Sequence, residues 1–225
     1  VRRELPRNFN IERARYAQKI IASKVIEDDE LPKVIRKVTG VDIGYKDDIA
    51  IAAAVTVDSE SLKEIESSTF MFKVRFPYIP TLLAFREVYP SWMALKKLKG
   101  NYDLVMVDGN GRLHPYRAGF ACHLGVIINK PTIGVAKRLL CGKIGRWKGN
   151  IAPIYLDNSE NIIGVAVKTL KRANPIYVSI GHKISLKTAI KFVLTYRRKK
   201  AKLPEPIRLA HEKANEVVKR LKANE

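Results

Sequence analysis

Cysteine is scarce in this chain: Cys122 and Cys141 are the only two among 225 residues. Two cysteines cannot build the disulfide framework of a small secreted domain, and neither has a CxxC partner, which argues against a structural zinc site as well. A reducing, cytoplasmic setting is expected. No apolar run approaches the roughly 20 residues that a membrane-spanning helix needs, so no membrane partner is expected. The opening Val1-Arg-Arg-Glu-Leu-Pro6 has no apolar stretch behind its charges, unlike a secretory leader. Glutamine occurs once, at Gln18, against abundant Lys, Arg and Glu. That balance suits a heat-adapted protein. Internal repeats and low-complexity linkers are lacking too, and the length fits a single domain spanning 1–225.

Negative charge is also in short supply. Lys plus Arg number 42 and Asp plus Glu 22, a formal net charge of +20. Solubility does not require so large an excess of one sign. A field of this size attracts polyanions, and nucleic acid is the commonest of them. Binding through that field weakens steeply with salt. An acidic membrane surface is the other polyanion, but no lipidation motif accompanies the charge.

The apolar pattern predicts an α/β chain. Ile11, Ala14, Ala17, Ile20 and Ile21 recur at helical spacing and predict an amphipathic first helix, followed by a loop at Asp28-Asp-Glu-Leu-Pro32. Two strands fill 34–57, joined by a tight turn at Gly44-Tyr-Lys-Asp-Asp48, and a third covers 64–74. Thr81 is placed to cap a helix over 82–89, which Pro90 is expected to kink or restart before a second stretch to Lys99. Asp103-Leu-Val-Met-Val-Asp108 reads as a buried parallel strand, then a Gly-rich loop, a helix over 117–128 and a strand over 132–135. The basic stretch 142–150 reads as a loop. Strands follow over 153–156, 162–168 and 176–179, then a helix over 185–197 entered at a Ser cap, and a last helix from Pro206 to Lys222. The basic run 197–202 is either a solvated face or part of a phosphate track. A three-strand antiparallel meander followed by alternating helices and strands predicts a mixed sheet flanked by helices, the ordering of the ribonuclease H-like fold.

Against this basic background three acids are conspicuous. Asp42 interrupts the apolar strand Val41-Asp-Ile-Gly44, where a carboxylate is costly unless paired or metal-bound. Asp108 ends an apolar strand, where α/β sheets place their ligands. Glu87 follows Leu83 by four residues, so if Leu83 faces the sheet Glu87 does as well. Converging carboxylates on separate elements suit a hard divalent cation and metal-dependent phosphodiester cleavage. Taken singly, each acid has a plainer explanation: a turn for Asp42, an Asp-Gly turn for Asp108, and a solvated helix face or a pair with Arg86 for Glu87. The helical His211 alone reads as an exposed surface residue, and Pro77-Tyr-Ile-Pro80 alone as a rigid turn.

A series of short motifs nevertheless stands in order: Val41-Asp-Ile-Gly-Tyr45, Pro77-Tyr-Ile-Pro80, Leu82-Leu-Ala-Phe-Arg-Glu87, Val107-Asp-Gly-Asn-Gly111, His114-Pro115, Ala121-Cys-His-Leu-Gly125, Thr132-Ile-Gly-Val-Ala-Lys137, Gly181-His182 and Leu203-Pro-Glu-Pro-Ile-Arg208. Together they resemble the endonuclease V family from about Ile11 to about Lys222. The resemblance implies a ribonuclease H-like fold and Mg²⁺-dependent cleavage, with Mn²⁺ as a substitute. It implies a nick on the 3′ side of a deaminated purine, chiefly deoxyinosine in DNA, during DNA repair.

Carried over by position, Asp42, Glu87 and Asp108 match the metal-binding acids. His211 matches a position where members carry His or Asp, and Lys137 a lysine that meets the scissile phosphate. Tyr78 belongs to the wedge, held stiff by Pro77 and Pro80 with Ile79 between them. Leu83 adds an apolar pocket wall. Gly109 and Gly111 imply close backbone approach to a flipped base, which main-chain groups then read. His114 and His123 match family histidines whose role is expected to be structural, with His114 close to the substrate. Thr81 stands where many members have Gly, and a β-branched residue there is expected to narrow the pocket or alter the loop.

The expected protein is a monomeric endodeoxyribonuclease acting on DNA that contains deaminated bases. Two alternatives stay open on the sequence: an endoribonuclease specific for inosine-containing RNA, and a non-catalytic nucleic-acid-binding protein of ribonuclease H-like fold.

Overall fold

The computed structural model describes residues 9–156 and 159–223, so the opening residues read above for a leader lie outside it. Among the described residues nine strands form one mixed sheet, flanked by five helices. The first helix, α1 (Ile11–Lys24), precedes an antiparallel meander of β1 (Lys37–Lys46), β2 (Ile49–Asp58) and β3 (Glu64–Lys73). Then come α2 (Ala84–Lys97), β4 (Leu104–Asp108), α3 (Phe120–Ile128) and β5 (Thr132–Ala136), with β4 running parallel to both β1 and β5. The chain continues through β6 (Lys143–Ile144), β7 (Ile151–Tyr155), β8 (Ile162–Val167) and β9 (Ile176–His182), and ends in α4 (Leu186–Thr195) and α5 (Glu205–Ala223). Across the sheet the order is β3-β2-β1-β4-β5-β9-β8-β7-β6. The mixed sheet expected from the element order is therefore present, with β9 returning antiparallel against β5.

Strand parity sorts the core into two layers. Val38, Leu104 and Met106 pack with α4 and α5 on one face. Val41, Val105 and Val107 pack with α2 and α3 on the other. Period-2 alternation requires this split. It also explains why β2 is nearly all Ala, Ile and Val: it is paired on both edges and has α2 and α5 against its two faces, so residues 50–57 are buried regardless of parity. One glycine makes the α5 layer possible. A side chain at Gly40 would fall 2.0 Å from the Pro206 carbonyl oxygen, so only glycine lets the start of α5 lie this close to β1.

Several local expectations are corrected. Thr81 does not cap α2: Leu83 occupies the N-cap with no side-chain hydrogen bond, and Thr81 has a left-handed backbone with φ 70°. Pro90 does not divide the helix. The lost hydrogen bond is tolerated because Pro90, Ser91, Ala94 and Leu95 are all buried in α2. On α1 the buried side chains are Ala14 and Gln18, while Ile11 and Ile20 stay exposed. The helix predicted over 117–128 begins at Phe120, and the basic stretch 142–150 contains β6. The first turn is tighter than expected, with Gly44 and Tyr45 still inside β1. Ser185 caps α4 as anticipated, accepting from the Thr188 amide.

Candidate active site

Asp42 and Asp108 become neighbours because β1 and β4 pair in parallel, with Val41 opposite Val107. Asp42 has the parity of Gly40 and Gly44, whose open sides meet α5, and Asp108 that of Leu104 and Met106. Both therefore stand on the α5 face. There α5 adds His211, whose Nδ1 is 2.6 Å from Asp42 Oδ2. Asn215, one turn later, places its amide nitrogen 2.9 Å from His211 Nε2. With that nitrogen donating, Nε2 accepts and Nδ1 carries the hydrogen toward Asp42. One donor atom from each of Asp42, Asp108 and His211 lies within 4.8 Å of the other two. Two carboxylates and an imidazole at this separation fit a divalent cation such as Mg²⁺ or Mn²⁺.

Glu87 reaches the same end of the sheet from α2, on the opposite face. Its Oε1 accepts from the Tyr45 hydroxyl at 2.8 Å, and Tyr45 has the opposite parity to Asp42. Burial, reinforced by the charges of Asp42 and Asp108, pushes its carboxyl up to about 8, against the Tyr45 hydrogen bond. Burial and the Asp42 charge raise Asp108 as well, opposed by Lys137 and His211. The Lys137 ammonium lies 2.5 Å from Asp108 Oδ2. The region thus concentrates buried negative charge that its own cations only partly offset.

Asn110, two residues after Asp108, and Arg138, next to Lys137, border a cavity of about 290 Å³ together with Tyr78, Thr81, Leu83, His114 and Phe120 among others. Tyr78 is 67% exposed at its rim. Pro77 is buried while Pro80 is exposed, so the loop is rooted at one end and open at the other. Gly111 is required by packing, since a side chain there would meet the Ile180 carbonyl oxygen at 2.0 Å. Both glycine amides are already committed, Gly109 to the Val135 carbonyl and Gly111 to the Ser179 hydroxyl.

His114 braces the loops. Its Nδ1 accepts from the Tyr116 amide at 3.1 Å, which leaves Nε2 to donate to the Thr81 carbonyl at 3.0 Å. Burial lowers its pKa to about 4, so the ring is neutral. His123 is likewise lowered to about 4 by burial and stacks edge-on against Phe85, with ring centroids 5.6 Å apart.

The structure thus gathers Asp42, Asp108, His211 and Lys137 at one point, brings Glu87 with Tyr45 to the same end of the sheet from the opposite face, and places Tyr78, Leu83 and His114 around the cavity. The basic run 197–202 is partly structural. Arg197 donates to three nearby carbonyls and Arg198 binds the buried Glu205, leaving Lys199 and Lys200 exposed. Sequence reasoning missed Tyr45 and Asn215 as partners, and Asn110, Arg138, Leu139 and Leu140 as cavity residues. Tyr45 was signalled by its parity against Asp42, and Arg138 by adjacency to Lys137. Asn215 lies four residues after His211, one helical turn on the same face.

Residues 19–212 match the family model described as Endonuclease V. An Endonuclease V from Thermofilum pendens is 55% identical over 207 residues, covering 92% of this chain and 88% of its own. The solved structure of Endonuclease V from Streptomyces avermitilis is similar at a TM-score of 0.86, with 35% identity over 97% of this chain and 98% of that one. Endonuclease V from Ciona intestinalis, solved in complex with a 24mer DNA containing an inosine followed by a ribo-adenosine, gives a TM-score of 0.85 at 30% identity, covering 94% and 98% of the two chains. Among the described residues no helix is long and apolar enough to cross a membrane.

Proposed function

We propose, since the chain belongs to the endonuclease V family, that this endonuclease nicks DNA on the 3′ side of deoxyinosine, as one catalytic domain that depends on a divalent cation. The observation that carries the reading is the meeting of Asp42, Asp108 and His211 within 4.8 Å, in a chain whose Asn110 and Arg138, close in sequence to Asp108 and Lys137, line a cavity with an exposed tyrosine at its rim. The inosine in the DNA bound by the Ciona intestinalis relative supports the choice of lesion.

Asp42 and Asp108 would hold the cation, with His211 as a third ligand once its Nδ1 gives up the hydrogen it points at Asp42, and Glu87 would add a further carboxylate from the other face of the sheet. When bound, Mg²⁺ or Mn²⁺ supplies positive charge against the phosphate and lowers the pKa of the attacking water. Lys137 brings a second positive charge to the scissile phosphate from its place beside Asp108. Tyr78 fills the gap in the stack when the deaminated base turns out, and Leu83 and Phe120 wall the cavity that receives it. At about 290 Å³ the cavity sits near the roughly 300 Å³ lower end of small-molecule sites, a size suited to one base. The net charge of +20 draws the nucleic-acid backbone to the protein without reading sequence.

A nicking assay tests the reading: labelled DNA and RNA strands, each with or without one inosine, in Mg²⁺ or in EDTA. The expected result is a Mg²⁺-dependent nick 3′ to deoxyinosine that is absent from the unmodified strand. A preference for the RNA strand supports the endoribonuclease alternative, which the ribo-adenosine in the Ciona intestinalis complex favours. Salt-sensitive binding without any cleavage sinks the catalytic reading.

A further inference from the structure

Gln18, the only glutamine, has no exposed surface, although it lies on a helix whose Ile11 and Ile20 are exposed. A buried primary amide must satisfy both of its ends. Here Oε1 accepts from the Arg15 guanidinium at 2.9 Å, which turns Nε2 toward the Thr81 carbonyl at 2.6 Å. The same carbonyl receives His114 Nε2. The Arg15 guanidinium lies 4.3 Å from the centre of the Tyr116 ring, and the Tyr116 amide fixes His114. The contacts close a circuit joining α1, the loop 77–81 and the Gly-rich loop.

Thr81 is where that circuit meets the cavity. Its φ of 70° is disfavoured for a β-branched residue, and its buried hydroxyl has no hydrogen-bond partner. Nothing in its own side chain holds the conformation; two donors on its carbonyl do. Gln18 does not border the cavity, yet Thr81, Tyr78 and Leu83 do.

We infer that Gln18 is a positioning residue for the base-binding cavity: by holding the Thr81 carbonyl it keeps the loop 77–83 set for a deaminated purine. This rests on the proposed function for the nature of the ligand. The hold on the loop can be measured apart from it.

The experiment compares the full chain with Gln18→Met, Thr81→Gly and the double variant. The readouts are hydrogen exchange across residues 78–84 and steady-state nicking of deoxyinosine DNA. In Gln18→Met, exchange in that segment should accelerate about tenfold, as for one lost hydrogen bond. KM for deoxyinosine DNA should rise about tenfold with kcat within about twofold. Glycine adopts φ 70° without strain. In the Thr81→Gly background the Gln18 effect should therefore shrink to less than about threefold, a coupling that general loss of packing would not give.

Equal exchange in wild type and Gln18→Met, or the same Gln18 effect in both backgrounds, overturns the inference. If Gln18→Met does not fold, Gln18→Glu replaces it. Its carboxylate still accepts from Arg15 but cannot donate to Thr81, and it is judged by the same exchange. A wild type without inosine preference overturns the proposed function, while the exchange measurements still decide the role of Gln18.

Discussion

The Lys137 ammonium sits 2.5 Å from Asp108 Oδ2, so one acid of the candidate centre already carries a positive partner. Lys137 is 38% exposed and on a flexible stem, whereas Asp108 is 12% exposed and fixed at the end of β4. A divalent cation arriving at Asp108 competes with that ammonium. Lys137→Met should therefore bind Mn²⁺ more tightly without DNA, by roughly threefold to tenfold, since exposed pairs are worth about 0.2–1 kcal/mol and partly buried ones more. Nicking should fall by about 10²-fold or more, as when one donor to a developing charge is removed. Mn²⁺ titration followed by paramagnetic resonance, beside single-turnover nicking, reads both; weaker Mn²⁺ binding contradicts the competition.

On the proposed reading, Asp42 and Asp108 serve the cation more than the nucleic acid. Asp42→Ala or Asp108→Ala should reduce nicking below detection while binding to deoxyinosine DNA stays within about threefold of wild type or tightens, because the basic surface is untouched. Asn215→Ala should cost less, about 10- to 100-fold in activity, since it only orients His211. Gel-shift and nicking assays on the same samples separate the two effects, and full activity in either aspartate variant rejects the assignment.

The sheet and most of its helices were legible because strand alternation and the Asp-Gly and Pro boundaries are local signals. Asp42 and Asp108 were legible for the same reason: an acid in an apolar strand is visible without knowing its neighbours. His211 was legible only through the family resemblance and not from its own surroundings in sequence, since α5 reaches β1 through the close approach that Gly40 permits, a contact across more than 160 residues. Glu87 was read as facing the sheet, but the face it takes follows from α2 covering the side opposite α5, which helix periodicity alone does not fix. Thr81 misled as a cap because its preference for that role is outweighed by the tertiary hold on its carbonyl from Gln18 and His114. Gln18 itself was noticed only as a rarity of composition.

His114 and His123 are buried and neutral, with pKa values lowered to about 4 against an ordinary 6.5. The unfolded chain therefore binds more protons between these values, and each ring withdraws stability as the pH falls from 6.5 toward 4, by up to roughly 1.4 kcal/mol per unit. His123 has the simpler test, because its Nε2 is buried without a hydrogen-bond partner. His123→Phe should keep the contact with Phe85 and be more stable than wild type at pH 5, by about 1–2 kcal/mol, with a smaller difference at pH 7. Urea unfolding at the two pH values measures this, and an equal difference at both refutes it.

Glu87 has the opposite sign. Its carboxyl is raised to about 8 by burial, so the stability it contributes is complete below its ordinary 4.5 and is lost as the pH rises through 8. In EDTA at pH 8.5 the wild type must hold a buried carboxylate near Asp42 and Asp108 with no divalent cation to offset them. Glu87→Gln keeps an oxygen to accept from Tyr45 and removes the charge. It should be more stable than wild type under these conditions, by roughly 2 kcal/mol and several degrees of Tm, and the gain should vanish near pH 4. Saturating Mg²⁺ should reverse the order, stabilising wild type more than the variant by ligand linkage. Glu87→Gln should also nick far more slowly, so stability and activity move in opposite directions at one residue. Thermal unfolding at pH 4.5 and 8.5, with EDTA and with Mg²⁺, tests the argument; a variant less stable than wild type at pH 8.5 in EDTA would show that Glu87 is held by something stronger than its burial opposes.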